Sequence, residues 1–325
     1  MPRMPLAALA ALAALAGAAV PAGAQSYPNR PITLVVPLPP GGTNDIMARV
    51  VAERLSQTLG QQIVVENRAA GGSGTVATRQ VAKSAPDGYT LLLSYTSTFA
   101  TAPSMYKNIG YDPRKDFAPI GLIASAPSLV LVHPDLPVRS IPELIAHIKK
   151  SGEPYQYGSP GTGTVNHLAA EMFAREAGVK LTPIPYKGSN QLTTDLIGGH
   201  VKLGFNPIPV SRAGIESGRL RVLAVTSLKR SSLLANVPTL AEQGLAGFDV
   251  TLRYGISAPA GTPSAIIERL NKELNAALAT DAVKKRINHE GAEPVPMTPA
   301  QYAADIDREE ARWSALIKAI GLQAE

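Results

Sequence analysis

The chain alternates short β-branched runs with stretches of helical period, and this alternation limits the fold more than any other feature. "ITLVV" at 32–36 leads through "PLPPGGTND" into a helix whose apolar residues Met47, Val50, Val51, Leu55 and Leu59 keep i, i+3, i+4 spacing until Gly60 stops it. "QIVVEN", "GYTLLLSY", "YQYGS", "KLTPIPY", "VKLGFN" and "VTLRYGISAP" read as further strands. Helices are expected in "VATRQVAKS", "SIPELIAHIKKSG" (with a Ser140/Glu143 capping box), "VNHLAAEMFAREAG" and "NQLTTDLIGG", and from near Pro263 and Thr298. Such a pattern predicts α/β layers with largely parallel sheets. Two strands, near 124–130 and 222–227, are long enough to pass between domains. They bracket about 100 residues, and the expected arrangement is one domain from 25–125 and 226–325 with a second, 126–225, inserted.

The first 24 residues carry one cation, an Ala/Leu run and a small-x-small end at Ala22-Gly23-Ala24. That is the layout of a secretory leader cleaved after Ala24, and the run is short for a membrane span of roughly 20 residues. There is no cysteine, which excludes disulfides, thiol catalysis and a lipidated N-terminal Cys. The chain carries a net charge of +6, or +5 once Arg3 leaves with the leader. Its cations are dispersed, with Lys149-Lys150 and Lys284-Lys285-Arg286 the longest clusters, and aromatic residues are few. Nucleic-acid binding calls for a concentrated basic face, so the excess reads as mild attraction for anionic solutes or as solubility.

Three polar turns follow strands and open helices: "PPGGTND", "SYTSTFAT" and "GSPGTGTVNH". Ligands of open α/β sheets collect at the carboxyl ends of strands, where helix N-termini offer unpaired N–H groups and a partial positive charge to a carboxylate or phosphate. For each turn taken singly, a helix cap is an equally good reading. Enzymatic motifs fail. Tyr157 stands where a nucleophile elbow needs its first Gly, Asn166 replaces the closing Gly of a dinucleotide loop, and no P-loop occurs. His133, His147, His167, His200 and His289 lack metal-ligand spacing, so neither metal nor cofactor is expected. His167 is placed to touch a ligand or to cap and pack. Asp45 is simplest as a cap of its own turn, and Lys187 is either a cation for an anion or a solvated surface residue.

Several ordered segments carry a family resemblance: "YPNRPITLVVPLPPGGTNDIMAR", "VVENRAAGGSGTVA", "APDGYTLLL", "YGSPGTGTVNHLAAEMF", "PYKGSNQLTTDLIGGHV", "GRLRVLAVTSLKR", "NVPTLAEQGLAGF" and "GISAPAGTP". The chain resembles the periplasmic solute receptors of tripartite tricarboxylate transporters, the Bug-type family. The resemblance implies a two-domain type II periplasmic binding protein, a Venus flytrap with mixed sheets flanked by helices and a ligand cleft between the domains. It implies no catalytic residue, a small carboxylate as ligand, and membrane permease subunits as partners of a monomeric receptor. It places Gly41, Gly42, Thr43 and Asp45 in the first turn. Ser159, Gly161, Thr162, Gly163, Thr164 and His167 come from the central domain, with Lys187 and Gly188 beside the same cleft. Thr96 and Ser97 match more loosely.

Two positions depart from the pattern. Asn206 stands where the family usually has Asp, which would favour an acid without an amine if that side chain faces the cleft. Arg253-Tyr254 occupies a neighbourhood where Trp is common, offering a cation for a second carboxylate or a solvated side chain. Two other functions remain open at this point: an exported hydrolase or transferase using Ser159 and His167, and a ligand sensor feeding a signalling partner.

Overall fold

A computed structural model describes residues 27–69, 74–161, 163–186 and 188–322. The leader, the tip of the 69–75 glycine turn, Thr162 and Lys187 lie outside the described residues. Ten strands form one continuous, curled sheet in the order β2-β1-β3-β9-β4-β7-β5-β6, with β8 and the short β10 (Glu293–Pro294) pairing β4 off this path. In its first half β1 (Ile32–Val36) lies parallel between β2 (Ile63–Asn67) and β3 (Thr90–Tyr95). In its second half β5 (Tyr155–Ser159) lies parallel between β6 (Leu181–Pro185) and β7 (Leu203–Pro207). Between these wings β4 (Phe117–Val132) and β9 (Thr251–Pro259) run antiparallel, so the sheet is mixed where the alternation predicted mostly parallel pairing.

β4 joins the halves. Residues 117–127 pair with β9, and 128–132 pair with β7 and with β8 (Arg221–Val225). Both of its faces are buried there: Val130 and Val132 enter one core, Leu129 and Leu131 another. That explains why this stretch reads as a continuous apolar run. The second stretch expected to cross does not. β8 stops at Val225 within the second half, and residues 226–250 add Leu240, Leu245, Phe248 and Val250 to that half's core before the chain returns at Thr251. Thr226 marks the junction. Its hydroxyl donates to Val250 O (2.6 Å) and accepts from Ser128 N–H (2.8 Å), while Thr226 N–H donates to Ser128 O (3.0 Å).

Each half is covered on both faces. In the first, α1 (Thr43–Leu59) and α8 (Ser264–Ala279) cover one face. α2 (Thr75–Ala82) and the start of α10 (Pro299–Ile320) cover the other. In the second, α4 (Ile141–Ser151), α5 (Val165–Ala177) and the end of α10 oppose α6 (Ser189–Ile197) and α7 (Ile208–Glu216). The apolar stripe read for α1 is buried throughout, and Gly60 ends the helix in the left-handed conformation at φ 70°. At the start of α4, Ser140 Oγ accepts from Glu143 N–H, but the Glu143 carboxylate accepts from Arg139 N–H. The expected reciprocal box is therefore half formed.

α10 serves both halves: Tyr302 and Ile306 pack under the first, Trp313, Leu316 and Ile317 under the second. At its middle lies a buried charge cluster. Arg253 of β9 meets Asp305 (3.1 Å), Glu309 (3.4 Å) and Asp249 (3.6 Å), and Arg312 pairs with Glu309 and Asp249. The Arg253 side chain is 13% exposed and is engaged with these acids rather than solvated. Removing one partner of such a cluster strands the others in a poorly solvated place. Arg253→Met should lower unfolding stability by about 3–5 kcal/mol. Urea unfolding that moves by less than about 1 kcal/mol, the scale of exposed ion pairs, would show the cluster to be solvated after all.

Candidate functional site

The turn before α1 is built by its own side chains. Asp45, the third helical residue, accepts from Gly41 N–H through Oδ2 (2.9 Å) and from Arg49 Nε through both oxygens (3.0 Å). It is 3% exposed and ties down Gly41 of its own turn. Burial alone would raise its pKa, but the bonds from Arg49 and Gly41 outweigh that and hold it below the usual carboxylate range. Gly42, the N-cap, contributes no side-chain acceptor, so the first N–H groups of α1 are left without a side-chain cap.

Thr43 faces a cavity of about 450 Å³. Its opposite wall is the first turn of α6, Gly188 with Ser189, Asn190 and Gln191, and the start of α7, Pro207, Pro209 and Val210. Three helix N-termini from the two halves therefore converge on one space. α6, like α1, has no side-chain cap at its Gly188 N-cap. The described walls carry hydroxyls, amides and prolines but no charged side chain. Asn206 braces the far wall: fully buried, it donates through Nδ2 to Ser189 O (3.1 Å) and Thr193 Oγ1 (2.7 Å). Its amide thus faces α6, a role that an aspartate could not fill, because a carboxylate has no proton to offer the Ser189 carbonyl.

Gly161 to His167 are organised differently. Gly163 N–H donates to His167 Nδ1 (2.8 Å), His167 N–H to Thr164 Oγ1 (3.2 Å), and Thr164 Oγ1 to Gly161 O (2.8 Å). The other ring nitrogen of His167 faces Glu171 Oε1 at 3.6 Å. His167 and Tyr157 in turn hold the Glu171 carboxyl below its usual range against the effect of burial. Ser159 Oγ has only long contacts with Gly161 (3.5 Å), and among the described residues no bond joins it to His167. Gly163 at φ +75° packs on Met105, whose Cε would lie 2.4 Å from an added Cβ. Met105 ends α3 (Ala102–Met105), the helix that follows Ser97 and the turn 97–101. Thr96 is buried and accepts from Arg253 N–H (2.8 Å), while Ser97 is half-buried at the start of the turn.

The structure thus brings Thr43 and Gly188 to one cavity, with Gly41, Gly42 and Asp45 shaping its lip and Asn206 behind its wall. The 159–167 turn and Thr96 lie against the seam between the halves; Gly161, Gly163, Thr164 and His167 bond one another, and Thr96 bonds Arg253 N–H. Ser189, Asn190, Gln191, Pro207, Pro209 and Val210 were missed. The signal available was Pro-x-Pro after "VKLGFN": proline at the first turn of a helix marks an N-terminus.

Residues 47–322 match TctC, the tripartite tricarboxylate transporter family receptor. The chain belongs to this receptor family. It is 39% identical over 306 residues to Protein BugT of Bordetella pertussis, covering 94% of each chain. Among solved structures, R. palustris Rpa4515 with adipate is 38% identical with a TM-score of 0.77, covering 91% of this chain and 99% of that one. MatC (Rpa3494) from Rhodopseudomonas palustris with bound malate is 30% identical with a TM-score of 0.72, covering 90% and 100%. Among the described residues, no helix of this receptor is long and apolar enough to cross a membrane.

Asp45 couples the lip of the cavity to pH. Its folded-state pKa lies below the unfolded value, so the folded chain binds fewer protons and stability falls as pH drops. The contribution is complete above the unfolded pKa, about 4 for an aspartate, and is lost as pH falls through the lower folded value. Asp45→Asn should therefore flatten the decline in Tm between about pH 5 and 2, relative to wild type. Superimposable Tm–pH curves for the two proteins would remove Asp45 from this linkage.

Proposed function

We propose that this receptor captures a small carboxylate in the 450 Å³ cavity between its two lobes and delivers it to the membrane subunits of a tripartite transporter. The observation that carries this reading is the convergence of the α1, α6 and α7 N-termini on a cavity whose described walls have no charged side chain. An anion is stabilised there by helix dipoles and main-chain donors, at about 0.3–1 kcal/mol per dipole when exposed and more when partly buried. Charge-assisted hydrogen bonds contribute roughly 1.5–3 kcal/mol each. A few of these, less desolvation and ordering, give micromolar affinity, on the order of −8 kcal/mol. The volume falls within the roughly 300–1,000 Å³ common to small-molecule sites. Relatives with adipate and malate bound support a dicarboxylate of this size class.

Closure about the β4 and Thr226 junction would bring Thr43 toward the α6 turn and exclude water around the anion. The leader read at 1–24 directs the chain to the periplasm, where the mature receptor acts as a monomer. Nothing in the site calls for turnover. His167 is engaged by Gly163 N–H and faces Glu171, so among the described residues no base is bonded to Ser159.

A thermal-shift screen against adipate, malate, citrate and an aromatic carboxylate tests the proposal. A ligand at 100 times its Kd adds about 2.7 kcal/mol to stability. Asn190→Trp, at an exposed position on the cavity wall, should abolish that response while leaving the Tm of the free protein near wild type. A screen in which only sugars or metal ions raise Tm would overturn the carboxylate reading. An undiminished response in Asn190→Trp would move the site elsewhere.

A further inference from the structure

One helical turn further along the same two helices, a second groove opens between the lobes. Thr43 of α1 faces the ligand cavity and Ile46 faces the groove; on α7, Pro209 and Val210 face the cavity and Arg212 the groove. The groove encloses about 480 Å³. Lys285, Arg286 and His289 of α9 (Asp281–His289) line its first-lobe side, and Arg212 and Leu233 its second-lobe side. The lobes touch beside it, since a Cβ added at Gly291 would lie 2.7 Å from Pro209 Cδ. Arg286 is paired with Glu53, but Arg212, Lys285 and His289 have no ion-pair partner among the described residues. Glu290 is the one carboxylate among the described lining residues. Some cations elsewhere are engaged, with Arg253 and Arg312 held against three acids, Arg49 on Asp45 and Arg230 on Glu242, whereas others such as Lys149 and Lys150 stand exposed on single helix faces rather than across a groove.

We propose that this groove is a docking surface for an acidic polypeptide segment that also presents an apolar side chain. Its cations stand on separate helices of separate lobes and flank the apolar Ile46 and Leu233. A chain with carboxylates on both sides of an apolar residue satisfies that pattern, whereas one small anion needs donors that converge on a point. Because the walls belong to both lobes, closure changes the groove's width, so occupancy of the cavity and docking at the groove affect each other reciprocally. Assigning the segment to the transporter's membrane subunits rests on the receptor reading; the chemistry of the groove does not.

The test uses the purified mature chain and a short fluorescein-labelled Glu/Leu peptide, read by anisotropy at low and physiological salt. The double variant Arg212→Glu/Lys285→Glu should weaken peptide binding about tenfold or more, and raising salt should weaken it in wild type. Lys149→Glu/Lys150→Glu makes the same charge change on exposed residues of α4 and should leave peptide binding within about twofold of a simple net-charge effect. Equal losses in the two double variants, or no peptide binding to wild type at low salt, would overturn the proposal. So would a groove that binds inorganic phosphate with the same sensitivity to Arg212→Glu, which would make it a small-anion site. If the double variant fails to fold, Arg212→Gln and Lys285→Gln singly carry the comparison. The thermal shift with carboxylates should persist in every groove variant. Its absence from wild type would count against the receptor reading alone.

Discussion

One strand holds the molecule together. β4 belongs to both halves of the sheet, so each wing of parallel strands hangs on the same sixteen residues, and any movement of one wing against the other must be absorbed near Pro127 and Ser128. Thr226 fixes that place by bonding to Ser128 and Val250 at once. Two chain passages are thereby tied to one side chain and bend as a unit. α10 adds a second constraint. Its apolar residues serve both cores, and its acids neutralise Arg253 at the point where β9 re-enters the first half. A buried arginine among three carboxylates is costly to desolvate, and the cluster as a whole contributes little net stability compared with an apolar replacement of every member, although loss of one member strands the rest. What it contributes instead is position: the guanidinium's fixed fork of donors admits few arrangements of β9 against α10.

The same junction explains why the proposed binding cavity is built from helix ends. Strands on both sides of β4 present their carboxyl ends toward the gap between the wings, so the helices that follow them start there. The α1 and α6 ends face the gap with glycine N-caps and no side-chain acceptor, whereas α5 begins with Thr164 accepting from His167 N–H. A capped end has already used its donors on itself, and an uncapped one retains them for a solute. The prolines of α7 make the contrast sharper. Pro207 and Pro209 lack N–H groups and contribute shape and apolar surface. The cavity therefore has donor-rich sides and one apolar side, an arrangement suited to a carboxylate with a short carbon chain.

Much of this was legible in the sequence, and the misses have identifiable causes. The stripe of α1 and its Gly60 stop were readable because period and cap agree, and the three turns were readable because each joins a strand to a helix. α7 was missed because "GFNPIPV" continues the apolar character of β7 without a polar break, so only the prolines mark the change. The extent of β8 was harder to read: "RLRVLAVTS" is as apolar as a two-domain strand, yet its pairing with β4 extends only over 129–132. Asn206 and Arg253 drew attention as departures from a pattern, but their environments depend on partners 13 to 56 residues away in sequence. The 159–167 turn read equally as a ligand loop or as a helix cap. The Thr164-x-x-His167 spacing was a cap signal in plain view, and Thr164 accepts from His167 N–H.

The division of charge follows from these constraints. On the proposed reading, a cavity that grips an anion through helix ends has no need of an arginine, which would bind competing anions with little regard for shape. Dipoles and main-chain N–H groups are weaker and fixed in direction, so affinity depends on where a carboxylate lies as much as on its charge. Cations are then free for other tasks: Arg49 to set the lip, Arg253 and Arg312 to lock β9 to α10, and Arg212, Lys285 and His289 to give the outer seam its sign. Selectivity for the solute and attraction for a larger acidic partner can then be tuned separately, because they reside on successive turns of the same two helices.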